Sequence, residues 1–86
     1  MTDQELDVID ELHFVQPFSY LLNTLAMEES ELKSTLQTLA AKGWVKVLKT
    51  VDEEIPVQEH TFEKEYATFF YLATKKGLLA FHSTGE

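Results

Sequence analysis

Apolar residues recur at helical spacing through the first half of the chain. Leu6, Ile9 and His13, with Val8 and Leu12 alongside, form a stripe opposite Asp7, Asp10 and Glu11, and Asp3 stands where an N-cap belongs. This predicts a first helix, ended or interrupted by Pro17, which also suits the first position of a second. In that second helix Phe18, Leu21, Leu22 and Leu25 fall at i, i+3, i+4 and i+7, a core-facing pattern. A third helix carries Leu32, Leu36, Leu39 and Ala40 inward, with Glu29, Lys33, Ser34, Gln37 and Thr38 on the other side. Gly43 stops it at the C-cap position, and Lys42 lies in the last turn, where a cation is favoured.

After Gly43 the period changes. Trp44 to Val51 is rich in β-branched residues and alternates Val45 and Val47 against Lys46, which predicts a strand. Its expected partner is the aromatic run from Tyr66 to Leu72. An acidic connection of about a dozen residues joins them, a length at which loops are functional or mobile. Thr74 then caps a short helix through Leu78, Leu79 and Phe81, with Gly77 inside it. The expected fold class is therefore α+β: three helices, a two-stranded hairpin and a short C-terminal helix. No linker, repeat or low-complexity segment divides the chain, so residues 1–86 are expected to form a single domain.

Composition narrows the function classes. Eighty-six residues support one small core and exclude a large catalytic core with a separate cofactor domain. Cysteine is absent, which removes disulfides, Cys-ligated zinc, iron–sulfur chemistry and thiol nucleophiles. No apolar run approaches the roughly 18 residues of a membrane span, and the opening Met1-Thr2-Asp3-Gln4-Glu5 lacks the basic start of a signal peptide. A soluble cytoplasmic protein that does not engage membranes is the expectation.

The formal net charge is −8, from 15 acidic and 7 basic residues, and every basic residue is lysine. The missing arginine removes the side chain that reads guanine bidentately and enters narrow minor grooves. Acids concentrate in residues 1–16 and 52–66, and Lys33, Lys42, Lys46 and Lys49 lie between these blocks.

The stretch from Met27 to Val45 resembles the recognition-helix region of winged helix-turn-helix regulators, with Leu32, Leu36, Leu39, Lys42-Gly43 and Trp44-Val45 in the matching places. Tyr71-Leu72-Ala73-Thr74-Lys75-Lys76-Gly77 is similar to the Tyr-x-Leu-Thr-x-x-Gly element that leaves the wing in MarR-like and PadR-like regulators, with Ala73 replacing the usual leucine. The resemblance covers roughly residues 4 to 82. It implies a winged-helix domain whose third helix, about residues 28–42, enters the DNA major groove while the wing touches the backbone or minor groove. Carried over by position, Glu29, Ser30, Lys33, Ser34, Gln37 and Thr38 would face the groove, and Lys42, Lys46 and Lys49 would approach phosphates. Double-stranded DNA is then the expected partner. The same match puts Asp52, Glu53, Glu54, Glu59, Glu63 and Glu65 around the wing tip, where counterion release calls for basic groups.

A second expectation stands beside the first: a winged helix that has left DNA and acts as a protein-interaction module through its acidic wing or its aromatic strand. Trp44, Phe69, Tyr71 and Phe81 are then the contact candidates, either because the short chain leaves an apolar patch for a protein partner or homodimer, or they pack internally. Metal or ligand sensing is a third. His13, His60 and His82 lack local metal-ligand spacing; His60 reads as an exposed loop residue and His13 as partly buried with one hydrogen bond. Paired acids such as Glu53-Glu54 and Asp10-Glu11 have no apolar pocket to tune them, and Ser19 and Ser34 lack a His/Asp partner arrangement. No enzyme activity, cofactor or metal is expected.

Overall fold

The computed structural model describes residues 2–50, 53–54 and 65–84. In chain order these form α1 (Asp3–Glu11), β1 (Gln16–Pro17), α2 (Phe18–Leu25), α3 (Glu29–Ala41), β2 (Val45–Thr50), β3 (Glu53–Glu54), a 3₁₀ turn (Tyr66–Thr68), β4 (Phe70–Ala73) and α4 (Lys75–Thr84). The class is α+β. Expectations that concern Asp52, Glu59, His60 and Glu63 fall outside the described residues.

Thr2, not Asp3, caps α1. Its hydroxyl accepts from the Glu5 backbone N–H at 3.1 Å, while the Glu5 carboxylate accepts from the Thr2 N–H at 2.8 Å, a reciprocal capping box. A Thr-x-x-Glu spacing permits this exchange; a cap at Asp3 would leave Glu5 out of register for it. At the other end the Leu12 carbonyl accepts from the Ala73 N–H at 2.9 Å, which ties the exit of α1 to β4. Pro17 is the N-cap of α2, one place earlier than expected, with extended dihedrals that let it also close the short strand β1.

The α2–α3 turn uses Ala26 in the left-handed region at φ 52°. The end of α3 is cheaper. Gly43 takes φ 78°, its N–H donates to the Ala40 carbonyl at 3.1 Å, and the Trp44 N–H reaches back to the Leu39 carbonyl at 3.0 Å. These are the paired bonds of a Schellman motif, and they place glycine just past the helix rather than at its cap.

The sheet has four strands in the order β1-β4-β2-β3, so the expected hairpin is only its centre. β2 and β4 are antiparallel, with Val45 opposite Ala73 and Val47 opposite Tyr71. β1 adds to the free edge of β4 through Gln16 and Tyr71, and β3 pairs with β2 across a register shift between Leu48 and Thr50. β4 begins at Phe70 rather than Tyr66 because the start of the aromatic run turns away. The Tyr71 hydroxyl donates to the Tyr66 carbonyl at 2.6 Å, and the Tyr66 ring packs edge-on against Phe18 at 5.1 Å. Strand propensity there yields to packing on α2.

Val8, Ile9, Leu12, Phe18, Leu21, Leu32, Leu36, Leu39, Val45, Val47, Phe69, Tyr71 and Ala73 build one core from all three leading helices and the sheet. Each fully buried aliphatic side chain of this kind contributes about 1.5–3 kcal/mol of transfer free energy. The buried Thr35 hydroxyl donates to the Glu31 carbonyl at 2.8 Å, so it is satisfied within its own helix.

Candidate nucleic-acid interface

The exposed side of α3 presents Ser30, Ser34, Gln37 and Thr38, side by side at helical spacing. A polar stripe of this kind can hydrogen-bond base edges. The charges needed to hold it against phosphate are arranged differently. Lys33 is half-buried, its ammonium 5.1 Å from the centre of the Tyr66 ring, and the Tyr66 hydroxyl donates to the Glu29 carboxylate. The 3₁₀ turn therefore rests on the first half of α3, between the acid and the lysine that the groove-facing assignment uses.

Lys42 is likewise committed. Its ammonium donates to Glu5 Oε2 at 3.0 Å and lies 4.6 Å from the centre of the half-buried Trp44 ring. Burial pushes the Glu5 carboxyl up, but the Thr2 backbone N–H, the Lys42 hydrogen bond and charge, and the Thr2 hydroxyl outweigh it, so the group is held below its ordinary value of 4.5. The Lys42 cation thus serves a cap between helices. Lys46, half-buried on β2, has its ammonium 3.9 Å from Glu54 Oε1 on β3, a loose pair. Lys49 is exposed near the end of β2. The structure gathers the polar stripe of α3 but not a single positive face.

Among the aromatic contact candidates, Phe69 and Tyr71 are 5% and 0% exposed. They are core residues, Phe69 just before β4 and Tyr71 within it, and the expectation that they meet a partner is corrected: both pack into the cluster built by the helices and the sheet. Trp44 and Phe81 are half-buried and pack against the same core. Among the described residues the large exposed hydrophobics are instead Phe14, Tyr20 and Leu79. Periodicity missed Phe14 because it sits just beyond α1, outside any repeating pattern.

His13 is exposed, not partly buried, since α1 ends at Glu11; its Nδ1 lies 2.8 Å from the Asp10 carbonyl. The His13 ring meets Phe81 edge-on at 5.6 Å and His82 at 6.3 Å. Together with Leu6, Asp7 and Asp10, Phe81 and His82 border a groove between α1 and α4. Sequence spacing could not show this, since its two walls lie some seventy residues apart. Among the described residues no group of three or more histidine, aspartate or glutamate side chains is arranged to hold a metal ion, and no helix is long and apolar enough to cross a membrane.

Comparison with protein-family models, curated proteins and solved structures found no match to this chain.

Proposed function

We propose that the chain is a winged-helix domain that works as an acidic protein-interaction module rather than as a DNA reader. Support for the winged-helix assignment comes from the order of elements: α1, the short strand β1, α2, α3, then β2 and β4 as the wing, with β1 adding to the wing's edge. A helix-turn-helix fold does not fix what is bound; the site does.

The observation that carries the reading is the internal engagement of Lys33, Lys42 and Lys46. Lys42 pairs with Glu5, Lys46 with Glu54, and Lys33 sits over the ring that also holds Glu29. Each phosphate contact by one of these lysines would have to replace an interaction already made, and the surrounding charge is negative. Non-specific DNA affinity rests on releasing counterions through free basic groups, so little of it remains.

The test is a titration of mixed-sequence duplex DNA at low ionic strength. The reading predicts no saturable binding, and no difference when Lys33→Glu and Lys46→Glu are combined. Saturable binding by the parent that this pair abolishes returns α3 to DNA.

A further inference from the structure

We infer that the groove between α1 and α4 is a docking site for a protein segment bearing arginine or lysine beside an aliphatic residue. This rests on the protein-interaction reading and names the surface and the chemistry of its partner. The groove is open to solvent, has a volume of about 460 Å³, and is lined by Leu6, Asp7 and Asp10 from α1 and by Phe81 and His82 from α4. Its volume falls within the roughly 300–1,000 Å³ of typical ligand pockets, room for one long side chain and an apolar neighbour.

The lining has two parts. Leu6 and Phe81 are half-buried and supply apolar surface. The Phe81 and His82 rings meet edge-on at 5.4 Å and both touch His13, so three rings brace this wall. Asp7 and Asp10 stand on the opposite wall, one helical turn apart and exposed. Among the described residues neither carboxylate has a hydrogen bond or ion pair, and residues 1–16 contain no lysine to provide one.

Charge complementarity selects the occupant. Two carboxylates beside an apolar, aromatic surface suit a guanidinium or ammonium on an aliphatic stem: the head pairs with the acids, and the stem covers Leu6 and Phe81. Arginine suits it best, because its planar fork can bond the carboxylates and stack on a ring. Residues 1–86 contain no arginine, so an arginine in the groove comes from outside them. Nucleic acid is repelled by the same carboxylates.

The experiment uses the full chain labelled with ¹⁵N and the capped peptide Ac-Leu-Arg-Leu-Arg-NH₂. The expected result is saturable shift changes centred on Leu6, Asp7, Asp10, Phe81 and His82. Combining Asp7→Asn with Asp10→Asn should weaken binding at least about tenfold, the scale of losing a charge-assisted contact, and so should replacing each peptide arginine by citrulline. Both aspartates are exposed, so the spectrum of the variant should stay as dispersed as the parent's. Absence of saturable shifts, shifts centred on Glu28, Glu29 or Glu54, or full affinity in the double variant overturns the groove. None of these outcomes depends on duplex binding: a failed groove beside a negative DNA titration leaves the broader reading standing, and a groove that binds beside a positive one leaves only the groove.

Discussion

Glu5 and Lys42 join the start of α1 to the end of α3 through a 3.0 Å ion pair in which the Glu5 side chain is 6% exposed and the Lys42 side chain 43%. One carboxylate completes the capping box with Thr2 and accepts from a lysine at the C-cap of α3, so both helix ends gain a charge of the sign their dipoles favour. Glu5→Ala should therefore destabilise the chain by about 1–2 kcal/mol at neutral pH, most of it from the lost cap. Lys42→Ala should cost less, because the Glu5 carboxylate keeps its capping box with Thr2 and a pair made by a half-exposed ammonium contributes little. The depressed Glu5 carboxyl contributes stability that is fully present above its ordinary value of 4.5 and lost as pH falls through the lower folded value. Chemical denaturation from pH 7 to 3 should show the loss in the parent and a flatter acid limb in Glu5→Ala.

Two glycines should differ in how much a methyl group costs. A Cβ on Gly77 would lie 2.1 Å from the Trp44 carbonyl oxygen, which is itself fixed by the Thr74 N–H at 2.9 Å. Backbone must move, and Gly77→Ala should cost at least about 3 kcal/mol. On Gly43 the new atom meets only the Lys76 side chain at 3.9 Å, leaving the positive φ as the penalty, so Gly43→Ala should cost about 1–2 kcal/mol. Urea melts of the two variants check the ranking, and equal losses would contradict it.

Ala26 offers the reverse change. It is the described non-glycine residue with positive φ, in an exposed turn between α2 and α3. Ala26→Gly should raise stability by about 0.5–1 kcal/mol, seen as a higher denaturation midpoint at unchanged slope.

Tyr71 should make the protein sensitive to base. Burial, with a smaller push from Tyr66, raises its phenol well above the ordinary value of 10.0. Because the folded state holds this proton more tightly, stability is full below pH 10 and falls as pH rises towards the folded value. Tyr71→Phe should lose about 1 kcal/mol at neutral pH with the hydrogen bond to Tyr66, yet lose less than the parent as pH rises above 10. Denaturation midpoints at pH 8 and 11 measure both effects.

Much of this fold was legible in local pattern. Leu32, Leu36 and Leu39 at helical spacing, Val45 and Val47 in alternation, and Thr74 before a glycine-containing helix each carry their signal within a few residues. The Thr74 hydroxyl indeed accepts from the Gly77 N–H at 3.0 Å. What escaped depends on distance along the chain. Two-residue strands such as β1 and β3 have too few positions to show a period, and they exist because a longer strand offers an edge. Tyr66 has high strand propensity but is held by Phe18 and Tyr71 in a turn. The lysines looked free because a sequence shows their spacing and not their partners; Glu5 is thirty-seven residues from Lys42.

The most direct measurement is fluorescence anisotropy of a labelled mixed-sequence duplex titrated with the parent chain at about 50 mM salt, where phosphate contacts are strongest. A second titration uses a variant combining Glu29→Lys with Glu54→Lys. The parent should show no saturable rise, and salt-sensitive binding should set in with the variant, whose lysines lose their acidic neighbours. Saturable, salt-sensitive binding by the parent, weakened by Lys46→Glu, would contradict it.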